Sequence, residues 1–188
     1  MTTGGRTVSP QAQREFTMLC WDNNLEEVRR ILAAQPEAVH WRHPDSGDTG
    51  LTYVAALGIE DCAIATLLLD GGADPDVKNN KGFTALMLAT IARNGSEAHI
   101  ALLLDKGADQ TIRNNDGHTA EEIAKSIGRP EIAAEFDKYR QREAQRASDA
   151  KTTAQAQINA QVETLRAGTQ TPLQVRKKPL QIKPKANP

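Results

Sequence analysis

Aromatic residues are scarce in this sequence, in which Phe, Trp and Tyr together make up 4% of 188 residues. That scarcity disfavours sandwiches and barrels built from aromatic-rich strands. The apolar residues, 39% of the chain, are mostly Ala and Leu, which are good helix formers. The composition therefore predicts slender helices that pack closely.

Cysteine is also scarce. Cys20 and Cys62 lie in apolar, helix-like stretches and form no C-x-x-C pair, so two buried, reduced thiols are expected. His40 and His43, with Asp45 nearby, have a spacing compatible with metal binding, but no third strong ligand follows the two histidines. No metal or other cofactor is predicted.

Long apolar runs and catalytic motifs are missing as well. No run approaches the ~20 residues of a membrane span, and the N-terminus has no apolar signal core, so a cytoplasmic protein is expected. The sequence contains no phosphate loop, nucleophile elbow or H-E-x-x-H motif, which argues against an enzyme and against a small-molecule substrate. With a net charge of −1, nucleic acid is not an expected partner.

The sequence does contain a long internal repeat. The stretch LLLDGGADPDVKNNKGFTALMLA, from Leu67, matches LLLDKGADQTIRNNDGHTAEEIA, from Leu102, at a period of 35 residues. Each copy predicts a helix closed by Gly72 or Gly107, then a polar hairpin, then a second helix capped by Thr84 or Thr119. One such unit cannot bury its apolar face alone, so the units must stack.

This pattern resembles the ankyrin repeat, whose hallmark is Gly-x-Thr-Pro-Leu-His-x-Ala followed by Leu-Leu-x-x-Gly-Ala-Asp. The matching stretches are GFTALMLA from Gly82 and GHTAEEIA from Gly117, and NNLEEVRRIL from Asn23 is similar to the family's second helix. Its partner helix is expected from about Pro10 to Trp21, with Ser9 as the cap. Residues 42–50 form a junction that is longer than the pattern, which leaves the register of the following helix open by one residue.

The resemblance implies an all-α solenoid of hairpin–helix–turn–helix units. Four units are expected at about 9–45, 46–80, 81–115 and 116–142, the first and last acting as caps. Residues 1–8 are predicted to be flexible, and residues 143–168 to form an Ala- and Gln-rich helical extension with Ala154, Ile158, Val162 and Leu165 on one face. Residues 169–188 contain four prolines, five basic residues and no acidic residue, which predicts a disordered basic tail.

The resemblance also implies a protein–protein interaction module, such as a scaffold or adaptor, that grips a protein through a concave surface of hairpin tips and inner helices. Candidate partner-binding residues are Phe83, Lys81, His118 and Asp116 at the tips and Trp41 in the first hairpin. Alternatively, Phe83 is partly buried against the neighbouring repeat. Trp41 aligns with Val77 and Ile112 in the repeat. Its alternative role is to pack between adjacent hairpins and not to contact a partner. Leu88 and Ile123 are expected in the core.

The tail holds a second candidate contact, because PLQVRKK at 172–178 is followed at once by PLQIKPK at 179–185. In an extended chain Leu173 and Val175 share a face, as do Leu180 and Ile182, which suits docking into a groove or against a sheet edge. Arg176, Lys177 and Lys178 add charge that favours an acidic partner or the acidic body of the chain itself. A solubilising tail with an accidental duplication is the plain alternative.

The chain is expected to be a monomer or a subunit of a hetero-complex. The alternative function is an exported effector whose repeats bind a host protein and whose basic tail is a secretion signal.

Overall fold

The computed structural model describes residues 8–58, 61–92 and 96–168, and its regular structure is helical. This part of the chain contains a 3₁₀ turn at Pro36–His40 and eight α-helices: α1 Pro10–Trp21, α2 Leu25–Ala34, α3 Gly50–Leu57, α4 Ala63–Asp70, α5 Ala85–Ile91, α6 Ser96–Asp105, α7 Ala120–Ser126 and α8 Pro130–Gly168. The described residues form no β-sheet, and Arg42 and Thr49 make an isolated antiparallel bridge. The predicted all-α fold is confirmed.

Hydroxyl side chains fix where the helices begin. Ser9 accepts a hydrogen bond from the backbone N–H of Ala12, and Pro10 occupies the first helical position of α1. Thr49, Thr84 and Thr119 cap α3, α5 and α7 in the same way. Because these threonines are 35 residues apart, the cap of α3 settles the register that the sequence left open.

The first hairpin is one residue longer than the two that follow. The backbone N–H of His43 donates to the carbonyl of Asp48, five residues on, whereas Asn79 and Asn114 donate to carbonyls four residues on. The extra residue lies inside the turn, so Thr49 still begins its helix in register with Thr84. The long junction seen in the sequence is therefore a single insertion that the turn absorbs.

The alternate helices α1, α3, α5 and α7 form one row, in which each contacts the next, and α2 and α4 contact each other in a second row. The apolar side chains between the rows make one continuous core, and its largest fully buried members include Phe16, Leu51, Ile64, Leu68, Leu86, Ile100, Leu103, Ile132 and Phe136. Each unit thus covers the apolar face of its neighbour, as expected for stacked repeats.

The start of α8 closes the core. Ile132 and Phe136 are fully buried, and the hydroxyl of Tyr139 donates to the carbonyl oxygen of Leu104 at 2.7 Å. The same carbonyl accepts from the backbone N–H of Gly107 at 2.9 Å, so Tyr139 ties α8 to the C-terminal end of α6 through a second hydrogen bond.

By its contacts the chain divides into two units, Met1–Arg142 and Glu143–Pro188. In the second unit the structure describes residues 143–168, which are helical, and the side chains of residues 143–166 are exposed. Ile158, Val162 and Leu165 are 54%, 39% and 66% exposed. No helix in the described part combines the length and apolar character needed to cross a membrane.

We expect Phe136→Ala to lower the free energy of unfolding by about 3–5 kcal/mol, because the ring is fully buried and its loss leaves a cavity. The matched control is Ile158→Ala, an apolar truncation on the same helix at an exposed position, which should stay within about 0.5 kcal/mol of the parent. Urea unfolding followed by circular dichroism measures both. Equal losses in the two variants would show that α8 does not close the core through Phe136.

Candidate interface at the hairpin tips

Two asparagine side chains hold the hairpin tips in shape. The Oδ1 atom of Asn79 accepts hydrogen bonds from the backbone N–H groups of Lys81 and Phe83, both at 3.0 Å. Asn114 does the same for Asp116 at 3.0 Å and His118 at 2.9 Å. Each side chain replaces backbone hydrogen bonds that the turn cannot make, which explains the asparagine at this position.

Other hydrogen bonds join each tip to the tip before it. Asn79 Nδ2 donates to Asp48 Oδ1 at 2.8 Å, and Asn80 Nδ2 donates to the carbonyl of Asp45 at 2.9 Å. One repeat later, Asn115 Nδ2 donates to the carbonyl of Asn80 at 3.2 Å. The tips therefore form a braced row rather than independent loops.

A groove of about 540 Å³ lies beside the second and third units; we call it the tip groove. Its lining combines tip residues with side chains of α3 and α5: Asp45, Ser46, Asp48, Thr52, Ala56, Asn79, Asn80, Lys81, Phe83, Leu88 and Ile91. The apolar members include Phe83 and Leu88, which are half-buried, and Ile91, which is 41% exposed. Accessible apolar surface of this kind, bordered by polar groups, is typical of a recognition site.

The charges of the tip groove are unevenly compensated. Asp45 forms an ion pair with Arg14, with 2.9 Å between Oδ2 and the guanidinium nitrogen. Asp48 is half-buried, and its Oδ1 accepts bonds from two neutral groups, the hydroxyl of Thr52 at 3.1 Å and the amide of Asn79. Within the described part of the chain Asp48 has no ion pair.

An aromatic cluster lies on the first two units. The ring of Tyr53 makes edge-to-face contacts with Trp21 and His43, at centroid distances of 5.8 Å and 6.0 Å. Its hydroxyl lies 3.4 Å from the hydroxyl of Ser46, which also lines the tip groove. Trp21 is 42% exposed, so this cluster presents apolar surface next to the groove.

The structure brings two of the predicted tip residues together and leaves two apart. Phe83 and Lys81 line the tip groove. His118 and Asp116 are exposed at the following tip and do not line it. Partner binding by these four residues stays a prediction, and the groove gives Phe83 and Lys81 a common surface.

Two residues differ from their expected surroundings. Trp41 is 7% exposed and makes an edge-to-face contact with Phe16 at 5.7 Å, so burial leaves its ring little surface for a partner. Its burial favours a packing role, and the ring contact that it makes is with α1. Leu88 was expected in the core and is instead half-buried in the tip groove, whereas Ile123 is buried as expected.

Four residues of this surface were not predicted from the sequence as components of a binding site: Asp45, Asp48, Tyr53 and Ile91. The repeat itself could have predicted Asp48 as a tip residue, because Asp48 stands 35 residues before Phe83 and therefore at the same repeat position. The tail residues, from Leu173 and Val175 through Arg176, Lys177 and Lys178 to Leu180 and Ile182, lie outside the described residues.

The cysteine thiols are poor nucleophiles. Cys20 is buried as expected, whereas Cys62 is half-buried. Burial raises the pKa of the Cys20 thiol to about 12, and burial together with the carboxylate of Asp61 raises the pKa of the Cys62 thiol. Both thiols are therefore protonated at neutral pH, whereas thiol chemistry requires the thiolate.

Known proteins resemble this chain both in sequence pattern and in fold. The family profile described as "Ankyrin repeats (3 copies)" matches residues 17–114 and 51–136. No curated protein sequence matches the chain. Among solved structures, the chain is similar to a chain in the crystal structure of the yeast ribosomal protein Rps3 in complex with its chaperone Yar1. The TM-score is 0.62 at 26% identity, and the match covers 70% of this chain and 94% of that one.

Two glycines at equivalent positions of successive tips allow the bracing to be tested. Gly82 and Gly117 have φ angles of +80° and +84°, so alanine is strained at both, at a cost of about 1–2 kcal/mol. At Gly82 the new Cβ would also lie 2.3 Å from Oδ1 and 2.6 Å from the backbone nitrogen of Asn115, whereas at Gly117 nothing lies within 4 Å. We expect Gly82→Ala to lower the unfolding midpoint clearly more than Gly117→Ala. Equal midpoints would show that the two tips are not in close contact.

Proposed function

We propose that this chain, which belongs to the ankyrin-repeat family, holds a protein partner in the tip groove. The observation that carries the proposal is an accessible apolar surface built on a row of mutually hydrogen-bonded tips. Such a surface is already ordered before binding, so little conformational entropy is lost when a partner docks. Phe83 supplies the aromatic anchor, and Leu88 and Ile91 supply aliphatic surface beside it.

The comparison with Rps3 and Yar1 supports a protein as the ligand. That structure is described as a ribosomal protein in complex with its chaperone, and its matched chain shares the fold of this chain over most of its length. Capture of a client protein is therefore a mode of action that we propose for this chain as well. A role as an interaction module, and not as an enzyme, accounts for the groove without requiring a reactive group.

Phe83→Ala should weaken binding of the partner by about 1–3 kcal/mol, because it removes the anchor ring from the groove. The matched control is Ile127→Ala, which truncates another accessible apolar side chain, 45% exposed, that does not line the groove. A quantitative pull-down with the full chain identifies the partner, and calorimetry with the purified pair gives the affinities.

The stability of Phe83→Ala must be measured at the same time. The ring is half-buried and touches the core, so a small loss of stability is expected. Collapse of the fold without a separable loss of affinity would place Phe83 in the core and remove the argument for the groove.

We further propose that the two tail copies, 172–178 and 179–185, form a second contact with the partner. The four aliphatic residues would provide specificity, and the basic residues would attract an acidic surface. The alternative, in which the tail is a secretion signal of an exported effector, predicts that a reporter fused to residues 169–188 leaves the cell. Cytoplasmic retention of that fusion supports an intracellular role.

Changing Leu173, Val175, Leu180 and Ile182 together to Ser should weaken binding while every charge is kept. The comparison variant has Arg176, Lys177, Lys178, Lys183 and Lys185 changed to Gln and all four aliphatic residues intact. Titration calorimetry with the purified partner compares the two. If the serine variant binds like the parent and the glutamine variant does not bind, the tail is a charged tether without a motif.

A further inference from the structure

One repeat before Phe83, the same tip position is occupied by an acidic residue, Asp48. Asp48 and Phe83 each follow the positive-φ glycine of their tip by one residue, and both side chains line the tip groove. An acidic group and an apolar anchor therefore face the same groove, one repeat apart. The groove offers a partner two chemically different contacts, one from each tip.

The carboxylate of Asp48 is only partly satisfied by hydrogen bonds within the described part of the chain. Its Oδ1 atom accepts from Thr52 and Asn79, but both donors are neutral, and Oδ2 has no hydrogen-bond partner among the described residues. Asp48 is half-buried and lines the same groove as the apolar residues Phe83 and Leu88. A docking segment would remove the water that still solvates this charge, which is unfavourable unless the segment supplies a cation.

The repeat-containing part of the chain is also net negative, like Asp48 itself. Residues 1–142 contain 21 acidic and 15 basic residues. In the tip groove the acidic members are Asp45 and Asp48 and the basic member is Lys81, which is exposed. An acidic segment bound in this groove would meet two carboxylates, those of Asp45 and Asp48, for one ammonium group, that of Lys81.

We infer that the tip groove selects a basic segment of the partner protein, in which an aliphatic side chain packs on Phe83 and an Arg or Lys pairs with Asp48. This inference rests on the proposed function and adds the chemistry of the partner to it. A cation at Asp48 would use the open Oδ2 atom, and Arg or Lys forms charge-assisted hydrogen bonds there that are stronger than those between neutral groups. The pair would be formed in a site from which the partner itself excludes water.

The spacing of the two contacts restricts the segment further. Neighbouring packed helices such as α3 and α5 lie about 8–10 Å apart, and their tips repeat at a similar distance. Residues seven apart on a helix rise about 10.5 Å, and residues three apart in a polyproline II segment rise about 9 Å. The base should therefore follow or precede the aliphatic residue by three or seven positions.

Selection of a random peptide library on the purified full chain tests this inference. The library should yield peptides in which an aliphatic residue and an Arg or Lys recur at a fixed spacing. A synthetic peptide with the recovered sequence is then compared with the same peptide carrying citrulline, which is neutral and nearly isosteric, in place of the arginine. We expect the citrulline peptide to bind the parent chain at least about tenfold more weakly.

The protein variants are Asp48→Asn and Asp74→Asn. Both remove one negative charge, and Asn keeps an oxygen that can accept the existing hydrogen bonds. Asp74 is exposed, does not line the groove and accepts from the backbone N–H of Asp76 at 2.9 Å. Asp48→Asn should lower the affinity for the arginine peptide about tenfold and abolish its advantage over the citrulline peptide, while Asp74→Asn should bind like the parent.

The outcomes separate the inference from the proposed function. If Phe83→Ala abolishes peptide binding but Asp48→Asn behaves like Asp74→Asn, the groove binds peptides and the preference for a base is wrong. Recovery of peptides without a recurring base, or with a recurring acid, also overturns it. If neither Phe83→Ala nor Asp48→Asn changes the affinity of recovered peptides, both the inference and the proposed groove are wrong. The inference is supported if Asp48→Asn loses the preference for the arginine peptide and Asp74→Asn keeps it.

Discussion

The tip groove depends on the side chain of Asn79. Its oxygen accepts two backbone hydrogen bonds within its own tip, and its nitrogen donates to Asp48 in the tip before. One side chain thus helps to shape its own turn and to hold it against the tip before. The amide adds to the backbone hydrogen bonds of the tip, in which the N–H of Asn79 donates to the carbonyl of Phe83 and the N–H of Asn80 donates to the carbonyl of Ser46 in the tip before. Phe83 follows four residues later and has its position fixed by its bonds with Asn79.

The local features of the fold could be predicted from the sequence because they depend on nearby residues. Thr84 and Thr119 cap helices, and Gly72 and Gly107 adopt positive φ, for reasons contained in a few residues. The surface could not be predicted to the same depth. Tyr53, Leu88 and Ile123 occupy the same repeat position, yet Ile123 is buried and the other two are half-buried. Their exposure depends on neighbours that lie a whole repeat away.

The helix α8 has two kinds of stabilisation along its length. Its first turns are held by the core through Ile132 and Phe136. Residues 143–166 have exposed side chains, and their helical structure rests on intrinsic propensity and on local pairs such as Glu143–Arg146 at 2.7 Å and Glu163–Arg166 at 2.9 Å. Such pairs contribute about 0.2–0.5 kcal/mol each, which is small beside the burial of one aromatic ring. The sequence identified this helix through its composition, and the apolar face with Ile158, Val162 and Leu165 stays accessible.

The proposed contacts of the groove and of the tail have opposite electrostatic signs, and they also differ in how salt would act on them. Charges in the tail are attracted to a partner over a distance limited by the Debye length, about 8 Å at physiological ionic strength. A pair formed at Asp48 would be covered by the docked segment, and covered pairs are screened much less. Exposed charges mainly change the rate of association, whereas desolvated pairs mainly change the rate of dissociation. A partner held by both contacts would therefore be attracted through the tail and retained through the groove.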